Sequence, residues 1–298
     1  MAYSFKPSDR SVRDGVIRIA RDQIDTGIAE TADDALSPAD RIHQARKRCK
    51  KLRGLIRLVR PAFPDYAAEN AAFRDAARRL SDIRDAAALV EICDALKDHF
   101  DDQLAEEAFA GIRGHFAARA RQLETGPEAA AGLSRLCADL EDARRRTPGW
   151  ALTEDGAGAV TGGLAKTYRR ARKAMAAARK DPTGQTLHAW RKRVKYHWYH
   201  LRLLKSVSPV IAAAVDEADR LSDLLGRHHD LHVMESALDD AGEIADAAAL
   251  EAFRGLLHAR RARLETAAFD RGGALFREPP DGLAARFGGY WEAWAAHA

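Results

Sequence analysis

Long apolar segments are missing from this chain, and no stretch approaches the roughly 18 residues that a transmembrane helix needs. The amino terminus (MAYSFKPSDRSVRDG) also lacks the apolar centre of a secretory signal peptide. Cysteine occurs three times, as Cys49, Cys93 and Cys137, with no CxxC or Cys/His spacing. We therefore expect a cytoplasmic protein with reduced thiols, no membrane partner and no cysteine-ligated metal.

Aromatic residues are scarce, at 7% of the chain, and no segment alternates polar and apolar residues as a half-buried strand does. Catalytic patterns are also missing. There is no GxSxG motif, no cysteine in a recognisable catalytic setting, and no acidic pair that can be assigned to a cleft. The 298 residues are 46% hydrophobic and rich in alanine, which favours a large helical core. The sequence predicts an all-α protein with no catalytic residue, no enzymatic activity and no cofactor.

Carboxylates are absent from three stretches that are rich in lysine and arginine, namely Arg41–Arg60, Lys166–Lys180 and Leu187–Lys205. These stretches hold 22 of the 48 basic residues in 54 positions. The net charge of +4 is therefore +22 in the three stretches and −18 in the rest of the chain. Such segregation favours a surface that binds a polyanion over an ordinary solvated face.

The chain repeats itself at an offset of 145 residues. Ile42–Lys50 (IHQARKRCK) matches Leu187–Lys195 (LHAWRKRVK), and Leu80–Asp85 matches Leu225–Asp230 at the same offset. Prolines and glycines interrupt helical periodicity near Thr147–Gly158, where we place the join. We interpret the chain as a tandem duplication, with a first helical bundle over 1–150 and a second over 151–298, each sealing an apolar core.

Periodicity and the positions of proline predict twelve helices. In the first half they lie near 11–31, 38–60, 65–80, 85–100, 102–124 and 128–146. In the second half they lie near 159–181, 185–205, 207–225, 230–241, 246–271 and 281–297.

On a helical wheel at ~100° per residue, the helix over 38–60 carries a row of basic side chains on one side. This row, the first stripe, consists of His43, Arg46, Lys50, Arg53 and Arg57. Its opposite side is apolar, with Ile42, Cys49, Leu52, Leu55, Ile56 and Val59. The second stripe, backed by Trp190, Val194, Leu201 and Leu204, consists of His188, Arg191, Lys195 and Arg202.

No carboxylate relieves the repulsion within either stripe, which costs about 0.2–0.5 kcal/mol for each like-charged pair one turn apart. A phosphate-rich ligand would relieve it, because Arg forks onto two oxygens, Lys adds a point charge, and His adds a donor. The basic helix over 166–180 supplies Arg169 and Arg172 as further candidates. Protonation of His43 and His188 is expected to tighten binding below about pH 6.5.

The pattern H-x-x-R-x-x-x-K, which begins at His43 and again at His188, resembles the signature of CHAD domains, the conserved histidine α-helical domains. The likeness covers about residues 4–297. It also includes Tyr168–Arg172, the Leu-x-x-x-x-Asp segments that end at Asp85 and Asp230, and the C-terminal residues Arg286, Tyr290, Trp291 and Trp294.

The resemblance implies two four-helix bundles related by pseudo-symmetry, whose basic helices line a central cleft or pore that binds inorganic polyphosphate. Both stripes would contact phosphate, with Arg169 and Arg172 as additions, and the protein would be associated with polyphosphate granules. Some family members carry a triphosphate-tunnel domain with an ExExK motif. That motif is absent from this chain, so we expect a stand-alone binding module.

The second copy departs from the family pattern at two positions. Trp198 stands where the first copy has Arg53, and His197 replaces an expected apolar residue. We therefore expect the second stripe to bind its ligand less strongly at its middle.

Two alternative functions fit parts of the sequence. His228 and His232 are spaced as in some zinc sites, which would suit a metal-dependent phosphohydrolase acting on phosphoanhydrides, but no third ligand is evident and we assign no metal. A nucleic-acid-binding helical protein is also not excluded, because Trp198 falls within the stripe where it would stack on bases. Asp85 and Asp230 are expected to cap the following helices or to orient nearby arginines.

Overall fold

A computed structural model describes residues 3–100, 106–241 and 247–297 of the chain. These residues form eleven α-helices and no β-strand, so the prediction of an all-α fold is confirmed. The first half contains α1 (Val12–Thr31), α2 (Pro38–Leu58), α3 (Tyr66–Arg78), α4 (Ser81–His99), α5 (Glu106–Thr125) and α6 (Pro127–Arg146). The second half contains α7 (Gly156–Lys180), α8 (Gly184–Leu204), α9 (Pro209–Asp240), α10 (Ala247–Leu275) and α11 (Pro280–Ala295).

The two basic helices, α2 and α8, begin at defined caps. The Ser37 side chain accepts a hydrogen bond from the backbone N–H of Asp40, and Pro38 occupies the first turn of α2. At the start of α8, Thr183 and Thr186 form a capping box in which each side chain accepts from the other residue's backbone N–H. These caps set where each basic stripe begins.

The second half has one helix where the sequence predicts two. The expected break between 225 and 230 does not occur, and α9 runs without interruption. A glycine inside a helix costs only about 1 kcal/mol relative to alanine, and Leu225 and Leu231 on either side of Gly226 are buried. Asp85 and Asp230 consequently lie inside α4 and α9, so the prediction that they cap helices is wrong.

Corresponding helices make corresponding contacts in the two repeats. α1 packs on α2 and α6, as α7 packs on α8 and α11. α2 and α8 cross where Gly54 meets Tyr199, since a Cβ on Gly54 would lie 2.8 Å from the Cβ of Tyr199. These two residues are 145 positions apart in the sequence. The crossing therefore joins equivalent positions, as contacts across a pseudo-twofold axis do.

Glycine also allows α7 to approach the C-terminal end of α2. A Cβ on Gly163 would overlap the carbonyl oxygen of Leu58 and would lie 2.6 Å from that of Arg57. A Cβ on the neighbouring Gly162 would lie 3.1 Å from Pro61. The first turns of α7 are thereby held against the segment that carries the last residues of the first stripe.

Apolar side chains form two separate cores. The main core is continuous through both repeats, so the repeats share one core instead of sealing one each, because α2, α7 and α8 contact one another. The second core joins the α4–α5 hairpin of the first repeat to α9 and α10 of the second. Its buried residues include Ile92, Phe100, Phe109, Ile112, Met234, Phe253 and Leu257.

Candidate anion-binding cleft

The apolar sides of α2 and α8 face the main core, as predicted. Ile42, Cys49, Leu52, Leu55, Ile56 and Val59 of α2, with Trp190 and Val194 of α8, are all 0% exposed. The residues of both stripes are half-buried, apart from Lys50, which is exposed. The basic sides of the two helices are therefore open to solvent only in part, as in a cleft.

Neutral oxygen atoms hold the arginines of the first stripe. Arg46 Nη1 donates to the backbone carbonyl of Ala77 at 2.6 Å. Arg53 and Arg57 donate to the side-chain oxygen of Asn70 at 3.2 Å and 2.7 Å, and Arg57 also donates to the Tyr66 hydroxyl at 2.8 Å. All of these acceptors belong to α3, which positions the guanidinium groups without cancelling their charge.

Ion pairs are missing from both stripes. In the part of the chain that the structure describes, none of the nine stripe residues has a carboxylate oxygen within 4.0 Å of its side-chain nitrogens. Many other arginines do form such pairs, including Arg48 with Glu30 and Arg146 with Glu69. The positive charge of the stripes is thus available to a ligand.

Lys50 connects the two stripes. Its pKa is lowered to about 8, first because the surrounding protein desolvates the ammonium group and then because of the charges of Arg46 and Arg191. Arg84 on α4 lowers it further. An exposed lysine surrounded by cations from both repeats marks the place where the stripes meet, at the junction of α2, α4 and α8.

The shifted pKa of Lys50 makes anion binding depend on pH. A polyanion favours the charged ammonium, so affinity is expected to fall as the pH rises through the free-state pKa of about 8. Between pH 7 and pH 9 the affinity for polyphosphate should fall about tenfold, because one pH unit above the pKa leaves only about a tenth of the groups charged. Titration calorimetry at matched ionic strength measures this change.

Lys50→Arg is the control for this prediction, because a guanidinium stays charged throughout the range. The variant should retain its affinity between pH 7 and pH 9. An equal fall in the variant and the original protein would show that another group is responsible.

The second stripe has more acidic surroundings than the first. Lys195 lies near Asp219 and Asp223 of α9, whose charges raise its pKa against the larger lowering effect of burial. The equivalent residues of α3, 145 positions earlier, are Arg74 and Arg78. The two stripes therefore differ in the charge of the helix that flanks them.

Trp198 and His197, which depart from the family pattern, lie on different sides of α8. The Trp198 ring lies 3.8 Å from Lys195 Nζ and 4.7 Å from the Arg202 guanidinium carbon, within the second stripe. His197 is 1% exposed and packs between Tyr168 and Phe276. Burial lowers the pKa of His197 to about 3, so it serves as a neutral aromatic residue of the core.

Each stripe histidine has a neighbour on α4 or α9, and the two neighbours occupy equivalent positions in the two repeats. His43 is close enough to Arg84 for the positive charge to lower its pKa, after the larger effect of burial. The His188 ring stacks against that of His229 with centroids 4.1 Å apart, and Arg84 and His229 are themselves equivalent positions. Sequence analysis missed both partners, although each directly precedes the repeated Asp85 or Asp230.

The expected protonation of the stripe histidines near pH 6.5 is wrong for the free protein. Burial, followed by the charges of Lys192 and Arg191, lowers the pKa of His188 to about 4, and the pKa of His43 is also lowered. Both rings therefore take up a proton at a lower pH than an ordinary histidine does, and His188 does so only near pH 4. Protonated His43 and His188 would therefore contribute to ligand binding only at a pH lower than 6.5.

Asp85 and Asp230 act through their charge. Burial lowers the pKa of Arg46, and the charge of Asp85 raises it. Burial raises the pKa of Asp230, and the charge of Arg191 lowers it. The two pairs are equivalent, since Arg46 and Arg191 are 145 positions apart, as are the two aspartates. Within the described residues neither aspartate accepts a hydrogen bond from these arginines, so the predicted orienting contact is not formed and only the charges interact.

The basic helix α7 contributes different residues from those that the sequence favoured. Arg169 is paired with Asp281 of α11 at 2.9 Å, and Arg172 lies near Tyr168. The structure brings neither of them to the stripes. Lys166 and Arg170 instead lie beside Arg60 at the end of α2.

The residues that suggested a metal site or base stacking have the following surroundings. His228 and His232 of α9 lie 3.8 Å from Glu265 and 3.7 Å from Glu235. Among the described residues, no group of three or more His, Cys, Asp or Glu side chains has a geometry that could hold a metal ion. Trp190 and Tyr199, the aromatic neighbours of Trp198 on α8, are buried in the main core and present no face for base stacking. No helix within the described ranges is both long and apolar enough to cross a membrane.

Comparison with known proteins places this geometry in context. The model of the CHAD domain family matches residues 16–239, which include both stripes. The crystal structure of the CHAD domain from the plant Ricinus communis superimposes on the chain with a TM-score of 0.64 and 17% sequence identity. The superposition covers 93% of this chain and 95% of the plant domain, and at this identity it concerns the fold. No curated protein matches the chain.

Proposed function

The chain belongs to the CHAD domain family, and on this premise we propose that it binds inorganic polyphosphate without catalysing a reaction. CHAD domains are associated with polyphosphate binding or with triphosphatase-type activity. Of these, binding needs only a surface that neutralises phosphates. A cytoplasmic location, with association to polyphosphate granules, is part of the proposal.

One observation carries the proposal: Arg46 and Arg191, one from each stripe, meet at Lys50, and the arginines of the first stripe are held by neutral oxygens instead of carboxylates. Bringing like charges together is unfavourable, and the nearby carboxylates of Asp85, Asp219, Asp223 and Asp230 act on the stripes without forming an ion pair. A flexible chain with one negative charge per phosphate could follow the first stripe for about 21 Å from His43 to Arg57, given the rise of 1.5 Å per residue. It would be bound by charge-assisted hydrogen bonds and by release of condensed counterions.

Nucleic acid has less support as the ligand. Base stacking needs an open aromatic face, and Tyr196 and Trp198 are the rings nearest the stripes. Arg57 lies 4.3 Å from the centroid of Tyr196, and Lys195 lies 3.8 Å from that of Trp198. Cations therefore already occupy positions on these rings.

Calorimetry with long-chain polyphosphate, pyrophosphate and single-stranded RNA at matched ionic strength tests the proposal. We expect tight binding of long-chain polyphosphate and much weaker binding of the other two. Pyrophosphate is too short to reach both stripes, and cations already lie on the rings on which RNA bases would stack. The logarithm of the binding constant should fall steeply and linearly with the logarithm of salt concentration, by about 0.7 for each phosphate contact.

The other outcomes identify the alternatives. Comparable affinity for RNA, together with a loss of binding in Trp198→Ala, would indicate a nucleic-acid-binding protein. Release of phosphate on addition of a divalent metal, abolished by His228→Ala or His232→Ala, would indicate a phosphohydrolase. Failure of long-chain polyphosphate to bind would refute the proposed function.

A further inference from the structure

A second group of cations lies where α2, α7 and α8 meet. This α7 patch consists of Arg57, Arg60, Lys166, Arg170 and Arg193. The close packing of Gly162 on Pro61 and of Gly163 on Leu58 brings the first turns of α7 against the end of α2. Lys166 and Arg170 are one turn apart on α7, and both are exposed.

Aromatic rings hold two of the four arginines of the α7 patch. Arg57 lies 4.3 Å from the centroid of Tyr196, and Arg60 lies 5.2 Å from that of Tyr66. Tyr196 is on α8, one turn from Arg193. Stacking on a ring face fixes the plane of a guanidinium group. Arg57 uses two of its five N–H donors on Tyr66 and Asn70, so donors remain for an anion.

Negative charge is missing from the α7 patch. Within the described ranges, none of its five members forms an ion pair with a carboxylate. Their effects on one another are repulsive: Arg60 lowers the pKa of Lys166, and Arg170 and Arg57 lower that of Arg193 after the effect of burial. The patch is a concentration of positive charge that no part of the described structure neutralises.

The corresponding surface on the other side of the duplication carries less positive charge than the α7 patch. The buried positions of α1 recur in α7 after 144 residues, as with Val16 and Val160 or Ile24 and Tyr168. On that register Asp22 corresponds to Lys166, and Thr26 corresponds to Arg170.

The counterpart of Arg193 is neutralised as well. Arg48, 145 positions earlier, donates two hydrogen bonds to Glu30 at 2.9 Å and 2.5 Å, and Asp22 adds to the negative charge around it. The α7 patch therefore breaks the symmetry of the duplication. It is not an inevitable product of the fold, because the same helices carry paired charges in the other repeat.

We propose that the α7 patch is a second phosphate-binding site, which takes up the length of polyphosphate that continues past Arg57 at the end of the first stripe. This inference rests on the proposed function. Arg57 belongs to both surfaces, so the ligand passes from one to the other without crossing a neutral gap. The bound polymer then leaves the cleft on the α7 side, where the first repeat offers no equivalent site.

Simultaneous substitution of Lys166→Ala, Arg170→Ala and Arg193→Ala tests the inference, with Lys173→Ala, Arg179→Ala and Lys180→Ala as the matched control. Both variants lose three cations, two from α7 and one from α8 in the test variant and three from α7 in the control. Loss of three phosphate contacts should reduce the salt slope for long-chain polyphosphate by about 2, because each contact on a single strand contributes about 0.7. Affinity should fall about tenfold or more, whereas the control should retain its slope.

Lys166→Asp provides a test that does not depend on the half-buried Arg193. It installs on an exposed side chain the residue found at the corresponding position of the first repeat, so the fold should be retained. We expect it to weaken binding of long-chain polyphosphate about tenfold, since a cation is replaced by a like charge facing the ligand. Thermal unfolding of each variant verifies that it is folded.

The outcomes separate this inference from the proposed function. If the original protein binds no polyphosphate, the proposed function itself fails. If the original protein binds it, but the triple variant and Lys166→Asp both keep its affinity and salt slope, only the α7 patch is refuted.

Discussion

Replacement of Arg46 and Arg191 together by alanine is expected to weaken binding of long-chain polyphosphate by about two orders of magnitude. The two arginines occupy equivalent positions in the two stripes and both act on Lys50 at the junction. A hydrogen bond to a charged group contributes about 1.5–3 kcal/mol, so the loss of two corresponds to roughly 100-fold in affinity or more. Competition calorimetry against the original protein measures the difference.

Lys47→Ala with Lys192→Ala is the matched control for this prediction. These lysines directly follow Arg46 and Arg191 in sequence, are exposed, and form an equivalent pair at the same offset. The control removes the same net charge from the same helices and should reduce affinity only through weaker long-range attraction. Equal losses in the two double variants would mean that total charge governs binding, and that the stripes are not a defined site.

Gly163→Ala is expected to cause a large loss of stability. Its Cβ would overlap the carbonyl oxygen of Leu58 and would lie 2.6 Å from that of Arg57, and neither backbone atom can move as a flexible side chain can. Overpacking of this kind costs about 1–3 kcal/mol or more, so the melting temperature should fall by about 5 °C or more. Differential scanning calorimetry measures this fall.

Gly255→Ala controls for the general effect of alanine in a helix. Gly255 lies in the interior of α10, and a Cβ there would meet nothing within 4 Å. The substitution should be neutral or raise stability by up to about 1 kcal/mol, because alanine favours helix over glycine. A melting temperature that is unchanged by Gly163→Ala would contradict the close packing of α7 on α2.

Most of the fold was predictable because its signals are local. Apolar residues three and four apart placed the inward sides of α2 and α8, and the repeat paired the halves. The break expected near Gly226 failed for the opposite reason. Whether a helix continues through a glycine depends on the packing of Leu225 and Leu231, which distant helices supply.

The candidate site was predictable only along the two basic helices. Lys50 and the arginines could be placed on one face by their spacing, but their neighbours come from α3, α4 and α9. The neutral acceptors Asn70 and Ala77, and the aspartates near Lys195, could not be assigned without knowing which helix lies alongside. The prediction that His43 and His188 gain a proton near pH 6.5 failed for the same reason. Burial by neighbouring helices is the largest cause of their lowered pKa values.

The second apolar core has a consequence for how the molecule assembles. The α4–α5 hairpin packs its apolar side on α9 and α10 of the other repeat, so the second core forms only when both repeats are present. A fragment that ends after α6 would leave Ile92, Phe100 and Phe109 in contact with water. Two whole molecules, in contrast, could exchange their α4–α5 hairpins, so that each hairpin packs on α9 and α10 of the other molecule. The result would be an intertwined dimer with the same contacts.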